Sequence, residues 1–201
     1  LQLTPIERTR VAMSKFSRLS NSEVVTPMPL ADELIGLIPQ KDLPDNTVFL
    51  DIASVEGEIA CSLFKKFGNS VKNSVFSVAT SPLTYELTRK VYKMLGMPVE
   101  NVFTFNSYDL IKGGNEKLTR QLKNIAPDVV CSVPPFCEKA GGGRGDGSTS
   151  IYHKFFNFAK QELSPCFISM MMQSSWYNGG RGEGLENFRN DMLSERHIKV
   201  F

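Results

Sequence analysis

The apolar positions of this chain switch repeatedly between two periods. Short apolar runs bounded by turn formers read as buried strands, and apolar residues three and four apart read as helix faces. The runs are residues 47–51 (TVFLD), 74–79 (SVFSVA), 101–105 (NVFTF), 128–132 (DVVCS) and 166–172. Between them lie helical faces. Ile59, Ala60, Leu63, Phe64 and Phe67 form one, Leu87, Val91, Tyr92 and Leu95 the next, and Leu118, Leu122 and Ile125 a third. An aromatic helix over residues 151–163 and a last helix through Leu185, Phe188, Met192 and Leu193 follow. Ahead of the first strand, Leu30, Leu34, Ile35, Leu37 and Ile38 predict a short helix stopped by Pro39 and Pro44. Residues 1–28 read as an N-terminal arm with weak helical periodicity, and residues 29–201 as one domain.

Strands alternating with helices at this spacing imply right-handed crossovers and a mostly parallel sheet. The fold class is therefore α/β, doubly wound. Ligands of such sheets bind at the carboxyl ends of the strands, beside the switch in strand order. That rule selects residues 51–57, 79–82, 106–109 and 132–136 as the candidate site. Tyr152, Phe155, Phe156 and Phe158 stand at helical spacing and read as core rather than as a platform for bases.

Composition adds limits. At 201 residues the chain can bury a substantial core, and 41% hydrophobic with 22% charged residues is ordinary for a globular protein. A net charge of +2 argues neither for nor against nucleic acid. Cys61, Cys131, Cys137 and Cys166 form no C-x-x-C pair, and His153 and His197 have no acidic partner at ligand spacing. Reduced cysteines, no metal site, no membrane span and a cytoplasmic location are expected.

Two segments carry candidate chemistry. Residues 51–57 (DIASVEG) follow a strand and precede a helix, where a glycine lets backbone approach a ligand and helix-start N–H groups favour polar groups. A plain strand-to-helix turn would look the same. Residues 133–136 (VPPF) follow the fourth strand. Two prolines there remove two N–H donors, leave outward carbonyls and set an aromatic on a rigid support. The alternative is a simple strand terminator.

Residues 23–27 (EVVTP), DIASVEG and VPPF occur in the order of a gamma-type DNA adenine-N6 methyltransferase of restriction-modification systems, which the chain resembles over residues 20–201. Residues 151–155 (IYHKF), 168–176, Gly179, Gly180, Phe188 and Arg189 are similar to the downstream part of one methylase subgroup. The resemblance implies a Rossmann-like fold binding S-adenosylmethionine. Thr26, Pro27, Asp51, Ala53 and Gly57 would line the cofactor, with Thr80 and Asp109 nearer its adenosine end. It further implies that Pro134 offers its carbonyl to the N6 amine of an adenine flipped out of duplex DNA. Phe136 would stack on that base, with Val133 and Pro135 completing the motif.

The chain departs from that family at several places. Val133 stands where an Asn, Asp or Ser accepts a hydrogen bond, and Ser132 is expected to point to the opposite face. Val55 replaces a glycine, which could forbid a positive φ, and no acid follows the second strand. Val25 replaces an aromatic. A target-recognition region is expected to lie outside residues 1–201, or on a separate recognition or nuclease subunit.

Residues 142–149 approach a phosphate loop but hold Ser148 where lysine is required. Arg144, Arg181 and Trp176 are the candidate DNA contacts, Trp176 as a wall of the base pocket; a solvated loop for the two arginines and core packing for Trp176 are the alternatives. Two competing functions remain at this stage: a non-catalytic methyltransferase-like module binding DNA or a partner, and a methyltransferase acting on RNA or a protein glutamine.

Overall fold

The structure is a computed structural model that describes residues 3–13, 25–104, 106–139, 148–178, 184–195 and 198. Helix α1 (Pro5–Met13) and helix α2 (Met28–Gly36) precede strand β1 (Phe49–Ser54) and helix α3 (Glu58–Phe67). Then come β2 (Val75–Ala79), α4 (Pro82–Leu95), β3 (Val102–Phe103), α5 (Tyr108–Lys112), α6 (Glu116–Ile125) and β4 (Val129–Ser132). A small ribbon, β5 (Cys137–Lys139) and β6 (Ser148–Ser150), leads into α7 (Tyr152–Phe158). That helix continues as a π turn over Ala159–Leu163 before β7 (Phe167–Met170) and α8 (Leu185–Ser194).

Five strands form one parallel sheet in the order β3-β2-β1-β4-β7. The chain winds outward from β1 through β2 to β3, then returns to β4 beside β1 and proceeds to β7. The switch in direction lies between β1 and β4. Alternation along the strands feeds two cores. Phe49, Val75, Val129 and Cys131 meet α2, α3 and α4 on one face. Leu50, Val78 and Val130 meet Leu118, Leu122, Phe155 and Phe158 on the other. The doubly wound α/β architecture expected from periodicity is the one observed.

Details differ from the expectation, each for a local reason. Strand one runs three residues further than read, because Ile52 and Ala53 are fully within the second core. The third strand shrinks to Val102–Phe103 at the sheet edge, with Phe105 outside the described residues. Helix α1 packs on α3 and α4, burying Thr9 and Met13, with Arg10 paired to Asp32 of α2. The segment read as an arm is thus partly built into the fold. Tyr152, Phe155 and Phe158 are buried, as a packing helix requires, and Phe156 packs beside them.

Helix α4 begins on a reciprocal cap: the Thr84 N–H donates to Ser81 Oγ at 3.3 Å and the Ser81 N–H to Thr84 Oγ1 at 2.8 Å. Pro82 starts the helix and Gly96, at φ +69°, ends it. This cap commits the Ser81 hydroxyl to the helix.

All four cysteines are free, with Cys61 and Cys131 buried. Among the described residues no helix is long and apolar enough to cross a membrane, and no group of three or more His, Cys, Asp or Glu could hold a metal ion.

Candidate active site

Backbone and side-chain bonds stitch the selected segments together at the carboxyl ends of the strands. The Thr80 N–H donates to the Ser54 carbonyl at 3.2 Å, and the Ser107 N–H to the Ala79 carbonyl at 2.9 Å. Ser132 Oγ donates to Asp51 Oδ1 at 2.7 Å, joining β4 to β1 across the switch point. Four segments scattered through the sequence therefore meet along one edge of the sheet, where the doubly wound rule expects a ligand crevice.

The β1–α3 turn is the most polar part of it. Asp51, 1% exposed, also accepts the Ala53 N–H on Oδ1 at 3.1 Å, while Oδ2 is buried without a partner. Burial is the main cause that pushes the Asp51 carboxyl up to about 7, with the nearby Glu58 charge adding to it and the Ser132 hydrogen bond opposing. Glu58 is equally buried and folds back over its own helix start. Its Oε2 accepts the Glu56 N–H at 2.8 Å, and the Thr26 hydroxyl also bonds it. An anion at a helix N-terminus is the favoured arrangement, yet burial still raises its pKa.

Glu56 has no such relief. It is 2% exposed, both carboxylate oxygens lack hydrogen-bond partners, and burial plus the Glu58 charge raises it to about 7. Among the described residues, no lysine or arginine pairs with any of these three acids.

Gly57 caps α3 at φ +78°, and a Cβ there would lie 3.1 Å from Val91 Cβ and Cγ1. The glycine is demanded by conformation and by the α3–α4 contact together. Val55 is buried at ordinary negative φ, so the positive-φ objection to valine does not apply.

At the end of β2, Thr80 is buried and its hydroxyl lies 3.1 Å from Thr84 Oγ1. Asp109 sits half-buried in the first turn of α5. Ser107, which sequence reasoning passed over, is nearer β2. It is fully buried and its Oγ has no partner. Nothing in a lone serine announces this; the sheet bond to Ala79 places it.

The end of β4 is built differently. Pro134 and Pro135 are buried, Val133 and Phe136 half-buried. Val133 packs against the core beneath α2 and α3. Ser132 is wholly buried and its hydroxyl turns to Asp51 of β1 rather than to the residues that follow. The Phe136 carbonyl accepts the Ile151 N–H at 3.1 Å, and its ring meets Tyr152 edge-on at 6.5 Å. Behind it stands an aromatic cluster of Tyr152, Trp176 and Phe188, with Trp176 and Phe188 rings 5.5 Å apart.

Trp176 is 6% exposed and its carbonyl accepts Arg189 Nε at 2.8 Å. It backs Phe136 rather than facing solvent. Arg144 and Arg181 lie outside the described residues, as do Glu23 and the glycines of 141–147.

Chemically, the crevice offers acceptors without donors at one end and an aromatic on a proline shelf at the other. Comparison with known proteins bears on this arrangement. Residues 73–201, nearly two thirds of the chain, match the family model described as Eco57I restriction-modification methylase. The fold is similar to the crystal structure of the methyltransferase subunit of a type I restriction-modification system from Streptococcus thermophilus. The TM-score is 0.66 at 18% identity, covering 92% of this chain and 42% of that one. The chain thus spans less than half the length of that subunit. No curated protein sequence matches it.

Proposed function

The chain belongs to the Eco57I restriction-modification methylase family, and on that premise we propose that it is the catalytic half of an S-adenosylmethionine-dependent DNA adenine-N6 methyltransferase. One observation carries the reading: Asp51 Oδ2, both Glu56 oxygens and Ser107 Oγ are buried and unpartnered at the switch point. Buried acceptors without donors are costly unless a ligand supplies them. The cofactor carries an ammonium and two ribose hydroxyls, so the residues present fit it. Asp51, Ala53, Gly57, Thr26 and Pro27 would hold its methionine end, and Thr80, Ser107 and Asp109 its adenosine end. When bound, it supplies a methyl group activated on a sulfonium.

The residues at the other end act on the base. Phe136, braced by Tyr152, gives a flipped adenine a ring to stack on, offsetting part of the cost of unstacking it. Among the described residues nothing donates to the Pro134 carbonyl. It is therefore available to accept one N6 hydrogen and draw the nitrogen lone pair out of conjugation. Val133 offers no second acceptor, and Ser132 is wholly buried with its hydroxyl turned to Asp51 of β1. Losing one preorganised hydrogen-bonding group costs roughly 10²–10³ in rate. Transfer by this chain is accordingly slow.

A second reading, a methyltransferase-like subunit that binds DNA or a recognition or nuclease partner without catalysis, draws on the same Val133. A cytoplasmic location goes with either.

Calorimetric titration with S-adenosylmethionine separates the cofactor question from the chemistry. Micromolar binding, followed by methyl transfer to duplex DNA that Val133→Asn accelerates, is expected. No heat and no thermal stabilisation at millimolar cofactor would overturn the enzyme reading. Binding without transfer in either protein would favour the second.

A further inference from the structure

We propose that Glu56 is a specificity-determining residue of this crevice, one that makes it select a cationic methyl donor over the neutral thioether left after transfer. The inference rests on the cofactor reading above and goes beyond it: that reading counts Glu56 among the unpartnered acceptors but gives the methionine end to Asp51, Ala53, Gly57, Thr26 and Pro27, and assigns Glu56 no role of its own.

A carboxylate that is 2% exposed and has no partner on either oxygen is not explained by the fold. Its backbone is useful, because the Glu56 N–H caps Glu58 Oε2 at 2.8 Å, but any residue would supply that N–H. The side chain adds only repulsion: Glu58 lies beside it, and Asp51 is the third acid of the turn.

Among the described residues, no cation of the neighbouring helices pairs with these acids. On α4, the Arg89 guanidinium reaches Glu86 at 3.7 Å and lies over the Tyr85 ring. On α1 and α3, Arg10 and Lys65 are both taken by Asp32 of α2. Burial keeps the Cys61 and Cys131 thiols and the Tyr92 phenol protonated. Strand β2 contributes no charge.

Three buried acids that no cation among the described residues pairs with are electrostatically incomplete until a positive ligand enters. Before and after methyl transfer, the cofactor keeps its ammonium and its hydroxyls. What it loses is the sulfonium charge. Glu56, in excess of what the ammonium requires, is the group that can register that loss.

Two consequences follow. Glu56 and Asp51 hold protons near neutrality, both raised to about 7 by burial. A cationic ligand favours the ionised forms, so its binding expels protons and tightens as pH rises from 6 to 8. The neutral thioether, which keeps only the ammonium, gains less, so the preference for the sulfonium ligand widens toward the upper end of that range.

The test is isothermal titration of the full chain with S-adenosylmethionine and with S-adenosylhomocysteine, in two buffers of different ionisation enthalpy, at pH 6, 7 and 8. Wild type is expected to prefer the sulfonium ligand by about tenfold or more, the scale of one unit charge acting across a partly buried site. It should release protons on binding it. Glu56→Gln, which keeps the shape and the N–H, should bring the two affinities within about twofold of each other and reduce the proton release. Glu56→Asp, which keeps the charge, should retain the preference. A thermal melt of Glu56→Gln no lower than wild type shows that the crevice is intact.

An unchanged affinity ratio and proton count in Glu56→Gln overturns the assignment, as does equal loss of the preference in the Gln and Asp variants. If neither ligand binds wild type or variants, the cofactor reading itself fails and takes this inference with it.

Discussion

At the carboxyl end of β1, three carboxylates are buried within eight residues, and three of their oxygens have no partner. At the end of the neighbouring β4, two prolines, a valine and a phenylalanine are packed against apolar and aromatic neighbours. The two ends are tied by one hydrogen bond, Ser132 to Asp51. The first region gives up stability to keep polar groups unsatisfied, and the second gives up chemistry to stay packed. On the function proposed above, with costly acceptors at the cofactor end and no second acceptor at the base end, such a site would bind better than it turns over.

The largest effect should come from the scaffold of the first region. Gly57→Ala places a side chain at φ +78° and 3.1 Å from Val91, on the helix pair that supports the acidic turn. We expect a loss of about 2–4 kcal/mol in urea unfolding, from backbone strain and overpacking together. A loss below about 0.5 kcal/mol would mean that α3 and α4 separate easily. The tightness of the acidic turn would then be overstated.

Next comes the chemical deficit of the second region. Val133→Asn restores an acceptor beside Pro134, and an increase in turnover of up to about 10² is expected, measured as methyl transfer to duplex DNA at saturating cofactor. Cofactor affinity should stay within about twofold, because Val133 is packed against the apolar core and none of the hydrogen bonds of the acidic turn involves it. A rise in affinity without a rise in turnover would show that the two ends are less independent than the comparison claims.

Much of this contrast was readable in the chain and some of it was not. The alternation of Phe49 with Leu50 and of Val129 with Val130 gave the strands, and the three- and four-residue spacing from Ile59 to Phe67 gave α3. Pro134 and Pro135 marked the shelf because proline chemistry is local. By contrast, β5 and β6 are three-residue polar strands on either side of a glycine run, formed by pairing that no periodicity signals. Helix α5 is too short to show a period.

The burial of Glu56 and Glu58 was equally hidden, since acids next to a turn are ordinarily solvated. Only their position between α3, α4 and β1 removes them from water. Trp176 is buried against Phe188, twelve residues further on, a packing that no local pattern in the sequence signals.

Cutting the tie between the two regions gives a smaller, pH-dependent effect. Asp51 is raised to about 7, above its unfolded value, so the folded chain holds a proton that the unfolded chain has lost between about pH 4 and 7. Stability contributed by this group therefore falls as pH rises through that window and is level above it. The Ser132 hydrogen bond favours the ionised carboxylate, so Ser132→Ala raises Asp51 further and extends the fall beyond pH 7. We expect a loss of about 1–3 kcal/mol at pH 8.5 and less at pH 5, where Asp51 is protonated in both proteins. Equal losses at the two pH values would show that the hydroxyl serves packing and not charge.

The smallest effect tests whether the acidic turn reaches back to the segment before α2. The Thr26 hydroxyl bonds the Glu58 carboxylate, and Thr26 is 5% exposed. Thr26→Val keeps the shape and removes that bond. Glu58 retains the backbone N–H groups of the turn, so the cost should be only about 1 kcal/mol, at the low end for a hydrogen bond to a buried charge. The penalty should shrink as pH falls and Glu58 takes up a proton, because its pKa is already raised by burial. Cofactor affinity should fall in the same variant if residues 26 and 27 line the crevice. A variant that loses stability but binds the cofactor as before would confine Thr26 to the fold, and leave the cofactor held by the β1–α3 turn without it.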